Sequence, residues 1–321
     1  MILGLGHYYA VTNDLGQARA CYERVAQNFP NNSDAVVALS SLDRREGRWA
    51  EALAGFRKAV ILDPRSRATQ ENLVQILFSV RRYDEMERQI KIEMELGGPE
   101  NLVDRQKTAF LSFSARGSTD AMDALVASVS PAARRTEPNA VIVCAQWAFI
   151  RGDAAAVIQL WEEAGPHWRF SPVMGRLDLI AVAASFLKLG QPERARPLLE
   201  RNRDLLIAQL ATQPENVFKW DDLALSYAML GNHAAARETL TKAHALTEKS
   251  NLNDSNLVGI YAWMGEKELA LAKLAEVIRL PTTPDFLREY SLRHTIIFWP
   301  LQGDPRFEAL LSDPKNKVPL F

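Results

Sequence analysis

A small turn position returns along this chain at a nearly constant interval, and that recurrence constrains the fold more than any other feature. The positions are Asn13, Gly47, Arg81, Gly117, Gly152, Gly190, Gly231 and Gly265, separated by 34, 34, 36, 35, 38, 41 and 34 residues. Each is preceded by an apolar stretch at helical spacing and followed by a second one. A two-helix unit of about 34 residues cannot bury its apolar faces alone, so successive units must stack. The pattern predicts an all-α chain of about eight helix-turn-helix units, with no strand.

The residues around the turns repeat as well. The first unit carries Leu5, Gly6, Tyr9, Ala18, Tyr22 and Pro30, and the second Leu39, Ser40, Ala52, Phe56, Ala59 and Pro64. The seventh carries Trp220, Leu223, Ala224, Tyr227, Ala236, Leu240 and Ala243, and the eighth Leu257, Tyr261, Ala270, Leu274 and Pro281. Small residues let paired helices approach, aromatics fill the space between units, and Pro30 and Pro64 stop the second helix. This pattern resembles the tetratricopeptide repeat family. Units three to six match less closely: Arg81 replaces the turn glycine, and Met86 and Met122 replace the small residue. In the second unit Asp43 stands where the family has Tyr. The resemblance implies a right-handed superhelical solenoid that binds proteins or peptides.

Read this way, residues 1–281 form the repeat array, regular over 1–98, irregular over 99–214 and regular again over 215–281. Residues 282–321 form a C-terminal cap. Breaks fall at Gly97, Gly98 and Pro99, over residues 130–138, and over residues 165–172, which include His167 and Trp168. In the tail, Asp304 can cap a short helix whose first position is Pro305. Phe307, Leu310 and Leu311 then share a face and, with Trp299, are expected to cover the helix pair of residues 254–280. The tail resembles the C-terminal end of repeat regions in bacterial multidomain signalling proteins of the class III adenylate cyclase, winged-helix regulator and Ser/Thr kinase types. There an effector domain lies N-terminal to the repeats. The apolar start over residues 1–11, almost uncapped, suggests that this chain is the C-terminal part of something longer.

The net charge is −1, from 38 Lys and Arg against 39 Asp and Glu. Such a balance gives no electrostatic footprint for nucleic acid. No apolar run reaches the ~18–20 residues of a membrane span. With two cysteines, Cys21 and Cys144, both inside apolar helical patterns, a disulfide framework is not expected, and a reduced, cytoplasmic setting is the default. The alternative is the periplasmic part of a membrane-anchored protein.

No catalytic constellation assembles. Gly4, Leu5 and Gly6 lack the third glycine and the preceding strand of a dinucleotide loop, so close packing explains them better. His7, His167, His233, His244 and His294 are scattered. His233 and His244 share a helical face but have no third ligand, so no metal is expected. Cys144 reads as a small core residue rather than a reactive thiol. Acidic neighbours such as Asp221 and Asp222 point to different faces of a helix and make no acid–base pair. We expect neither enzyme activity nor a cofactor.

A partner would lie along the first helices. Projection puts His7, Val37, Ser41, Arg44, Arg45, Gln75 and Phe78 on the groove face of the N-terminal half. Further on it puts Lys107, Leu111, Ile142, Gln146, Phe149, Ile150, Ile180, Leu187, Phe218, Asp221 and Trp263 there. The carboxylate clamp of well-known family members uses Lys and Asn. The matching positions here hold His7, Ser41 and Gln75, so that clamp is not present. Arg44 and Arg45 can still hold an acidic group, although cations also suit a helix C-terminus without any ligand. Ile142, Phe149 and Ile150 would anchor apolar side chains, or else pack against the irregular loops. The alternative to a peptide-binding scaffold is a small-ligand sensor in the irregular middle repeats.

Overall fold

The computed structural model describes residues 2–12, 14–97, 101–170, 177–250, 256–281, 288–316 and 318–321. The turn at Asn13, the break at Gly98 and Pro99, Pro172, and the helix starts expected near Met174 and Asp254 lie outside them. Among the described residues every regular element is helical. The chain forms two compact units: residues 1–100 with 317–321, and residues 101–316. This division differs from the array-plus-cap reading of the sequence.

The first unit holds three helix pairs: α1 (Ile2–Val11) with α2 (Leu15–Asn28), α3 (Ser33–Arg45) with α4 (Trp49–Leu62), and α5 (Arg67–Ser79) with α6 (Tyr83–Glu95). Side-chain caps fix where helices begin: Asp14 accepts from the Gln17 N–H, Asn32 from Ala35 and Ser66 from Thr69. The turns close in one way. The Asp14 N–H donates to the Tyr9 carbonyl, Arg48 to Asp43, and Arg82 to Leu77. These are the six-to-one bonds of the Schellman motif, which needs a left-handed residue after the helix. Gly47 supplies it at φ 77° and Arg81, unusually, at φ 61°. A side chain at positive φ costs about 1–2 kcal/mol, and Arg81 is also fully buried.

Between pairs, small residues face rings. The Tyr22 ring sits where a Cβ on Gly6 would fall, while Ala18, Ala52, Phe56 and Ala59 are buried. Asp43, at the position where Tyr is usual, binds Arg19 of α2 at 2.8 Å and Arg48 at 2.6 Å, an ionic substitute for the aromatic contact. At the chain's end, the Leu320 N–H donates to the Val80 carbonyl at 3.1 Å and the Arg82 guanidinium to the Phe321 carbonyl at 3.0 Å.

The second unit begins with α7 (Leu102–Arg116), α8 (Asp120–Ala127), the one-turn α9 (Ala133–Thr136), α10 (Pro138–Ile150) and α11 (Ala154–Ala164). It continues with α12 (Asp178–Lys188), α13 (Pro192–Thr212), α14 (Val217–Met229), α15 (His233–Ser250), α16 (Leu257–Trp263) and α17 (Lys267–Val277). Here α9 falls inside what the sequence reads as a break. The same turn closure recurs, from Asp153 to Ala148, Gln191 to Phe186, Asn232 to Tyr227 and Glu266 to Tyr261. Gly117 differs, closing α7 with a single bond to the Phe113 carbonyl. The break after α11 is packed: Trp168 and Phe170 are buried, and the Trp168 indole donates to the Asp178 carbonyl at 2.9 Å.

The C-terminal segment of this unit consists of α18 (Glu289–His294), a 3-10 helix (Ile296–Leu301) and α19 (Pro305–Ser312). Phe298, Leu301, Phe307 and Leu311 are buried with Val258, Leu271 and Leu274 of α16 and α17, closing the end of the array. The part before α19 does something that the sequence pattern does not foretell. It lies across the first helices of earlier pairs, α18 against α7 and α10, the 3-10 helix against α12 and α16. Ile296 is fully buried in the core shared by α10 to α16, and the Trp263 indole donates to the Ile297 carbonyl at 2.9 Å.

Candidate functional site

The first unit carries a groove of about 500 Å³ between α1 and α3. Leu3, His7 and Ala10 form one wall, and Val37, Ser41 and Arg45 the other. Residues 37, 41 and 45 stand at successive four-residue steps and so share one face of α3. The floor is Tyr22, whose ring meets the His7 ring edge-on at 5.5 Å. Burial pushes the Tyr22 phenol up, Cys21 adds to this, and Arg45 opposes it.

The two arginines at the end of α3 have different duties. Arg45 donates to the Ala10 carbonyl at 2.8 Å and so ties α3 to the end of α1. Arg44 has no ion-pair partner among the described residues. The carboxylates near it are engaged: Asp43 holds Arg19 and Arg48, and Glu46 holds the same two arginines. Burial, and then repulsion from Arg45, lower the Arg44 pKa. One repeat further on, Gln75 stands at the position of Ser41, and its amide nitrogen is buried with no hydrogen-bond acceptor. A partly buried cation and an unsatisfied amide donor both favour an incoming oxygen acceptor.

Other residues that the sequence assigns to the groove lie elsewhere. Phe78 is only 2% exposed, packed inside the first unit. In the second unit Phe149 is 7% exposed and meets Phe170 edge-on at 5.0 Å. The packed loop after α11 thus covers the ring that the projection offers to a partner. Gln146 is bound on both sides, accepting from Gln106 and donating to the Phe170 carbonyl, each at 2.7 Å. Ile150 packs on the Phe113 and Trp147 cluster beside Tyr290 of α18. Leu111, Ile142 and Ile180 are buried, and Leu187 is partly buried against the main core. Asp221 accepts from Asn256, Phe218 is exposed, and Trp263 is held by the crossing segment. Projection fails here because it assumes an empty face. The available signal was the unbroken apolar run Ile296, Ile297, Phe298 and Trp299, which has no helical period and so reads as a buried strap.

A second cavity, about 470 Å³, lies among α8, α10 and α11, with Arg134, Trp147 and Arg151 in its wall. Arg151 pairs with Asp123 at 2.8 Å, and the Trp147 indole donates to the same carboxylate. Burial pushes the Cys144 thiol up, with Arg134 opposing, which is the environment of a structural cysteine. Both cysteines are free. Among the described residues no cluster of three or more His, Cys, Asp or Glu is placed to hold a metal, and no helix is long and apolar enough to cross a membrane.

The fold and its turns define an all-α helical-repeat protein of the tetratricopeptide type. Residues 3–84, which span α1 to α5, match the model of the tetratricopeptide repeat family. No curated protein matches the sequence significantly. Among solved structures, the TPR domain of P58(IPK) aligns over 97% of this chain and 95% of its own, at 12% identity and a TM-score of 0.29. The Naa15/Naa10 assembly bound to HypK-THB aligns over 96% of this chain and 56% of its own, at 15% identity and a TM-score of 0.33. This chain thus spans a little over half the length of that second chain.

Proposed function

We propose that the first unit is a peptide-binding module whose groove between α1 and α3, continued toward α5, takes an acidic segment of a partner protein. The observation that carries this reading is Arg44, a partly buried cation whose neighbouring carboxylates are already engaged. The Gln75 amide supports it from the next repeat. Leu3, Val37 and the Tyr22 ring offer apolar contact beside that charge. The peptide that fits has a carboxylate side chain next to bulky apolar residues. The chain would then act as a non-enzymatic scaffold, and the resemblance of its tail supports a place in a bacterial signalling or regulatory system.

Fluorescence anisotropy with labelled peptides tests this. An acidic–aliphatic peptide should bind, and its charge-reversed counterpart should not. Arg44→Ala should weaken binding by roughly tenfold, about 1.4 kcal/mol. That effect should shrink with salt, since exposed charges are screened over about 10 Å at 0.1 M. Equal binding of both peptides, or an Arg44→Ala variant of unchanged affinity, would refute the reading.

The cavity beside Trp147 favours a second reading, a small anionic ligand held by Arg134 and Arg151. Calorimetric titration with small carboxylates, lost in Arg134→Ala, would support it over the first.

A further inference from the structure

Helix α1 is apolar on all sides. Its sequence, Ile-Leu-Gly-Leu-Gly-His-Tyr-Tyr-Ala-Val, contains no formal charge at neutral pH and one histidine. A helix of that composition is normally enclosed. One side packs on α2 through Gly6, and Leu3, His7 and Ala10 face the groove. The remaining stripe is open: Leu5 is 47% exposed, Tyr8 62% and Val11 86%. Gly4 lies on the same stripe, and nothing stands within 4 Å of a Cβ built on it.

The repeat register tells what kind of contact this stripe makes. One period on, Gly4 and Tyr8 correspond to Ala38 and Leu42 of α3. Both are buried, and they pack in one cluster with Ala18 and Tyr22 of the preceding helix α2. A further period on, Tyr8 corresponds to Ile76, which is fully buried. The stripe on α1 is therefore a helix-docking face, and its occupant takes the position of a preceding antiparallel helix.

We infer that this occupant is α1 of a second copy of the chain, paired antiparallel about a two-fold axis. The stripe is self-complementary. Tyr8 is a knob and Gly4 a hole, four residues apart on one face. A two-fold axis between them seats each Tyr8 over the other chain's Gly4, so both holes are filled by the same contact. This repeats the device that joins α2 to α1, where the Tyr22 ring fills the space over Gly6. The stripe carries no charge to oppose the pairing. Because one ten-residue helix supplies the interface, the association is weak and depends on concentration. The face lies apart from the groove wall, so dimer formation and peptide binding are independent.

Sedimentation velocity of the full chain over a wide concentration range is the test. The expected result is a monomer–dimer equilibrium. Tyr8→Glu should move its midpoint roughly tenfold or more to higher concentration, and Gly4→Leu, which fills the hole without adding charge, should do the same. Circular dichroism and melting should be unchanged, since both positions face open space. Leu269→Glu, at an equally exposed apolar site on α17, should leave the equilibrium unmoved. A monomer at every concentration overturns the inference. So does a dimer indifferent to both α1 variants, or one lost equally in Leu269→Glu. Stable capture of a different protein by this face, with the purified chain monomeric, also overturns it.

Discussion

The Tyr290 ring occupies the space where a side chain at Gly117 would fall. Gly117 ends α7 at φ 76°, and Tyr290 belongs to α18, so this contact ties the C-terminal segment to the first helix of its unit. Gly117→Ala should therefore suffer two costs. One is the left-handed backbone, about 1–2 kcal/mol. The other is overpacking against the ring, about 1–3 kcal/mol. Gly231 has nearly the same φ, 77°, with nothing near it, so Gly231→Ala should show the backbone cost alone. Urea denaturation of both variants measures the difference. Adding Tyr290→Ala should reduce the Gly117→Ala penalty to that of Gly231→Ala, and a penalty unchanged in the double variant would show that the ring contact is immaterial.

Phe149→Ala should act on stability. Removing a buried ring that packs on Phe170 should cost about 3–5 kcal/mol. Peptide affinity of the folded fraction, measured at a temperature where the variant is native, should match the parent. A weakened affinity there would return Phe149 to the binding surface.

Phe307→Ala should loosen the end of the array. Its ring is fully buried against α16 and α17, and its loss should cost about 3–5 kcal/mol. Hydrogen exchange should quicken first in residues 257–277 and 305–312. Uniform quickening across the second unit would mean that the cap and the core unfold together.

Acid should release the start of α19. Hydrogen bonds from the Arg306 side chain and backbone pull the Asp304 carboxyl down from 3.8 to about 2. A depressed folded pKa contributes stability that is fully present above the unfolded value. It is lost as the pH falls from about 3.8 toward 2. Hydrogen exchange over residues 305–312, read at several pH values, should quicken across that window. Asp304→Asn, which still caps but does not titrate, should lack this pH-dependent component. Identical pH profiles for the two proteins would remove Asp304 as the cause.

The turn recurrence, the helical class and the small–aromatic alternation of the first repeats are legible in the sequence. They rest on local chemistry. A left-handed residue after a helix, as at Gly47 or Gly231, is a requirement of a few neighbouring bonds, and Ala18 with Tyr22 repeats as Ala52 with Phe56 because each pair meets the same neighbour. The groove wall of His7, Val37, Ser41 and Arg45 follows from the same periodicity. What tertiary structure alone decided is which faces stay open. The Ile296 to Trp299 run is remote in sequence from α7, α10 and α12, so no period announces that it crosses them, and Phe149 is closed off by Phe170 through a loop of irregular length. The distinct duties of Arg44 and Arg45 are likewise tertiary. They differ because the Ala10 carbonyl lies within reach of one, while Arg19 and Arg48 have already taken the carboxylates nearest the other.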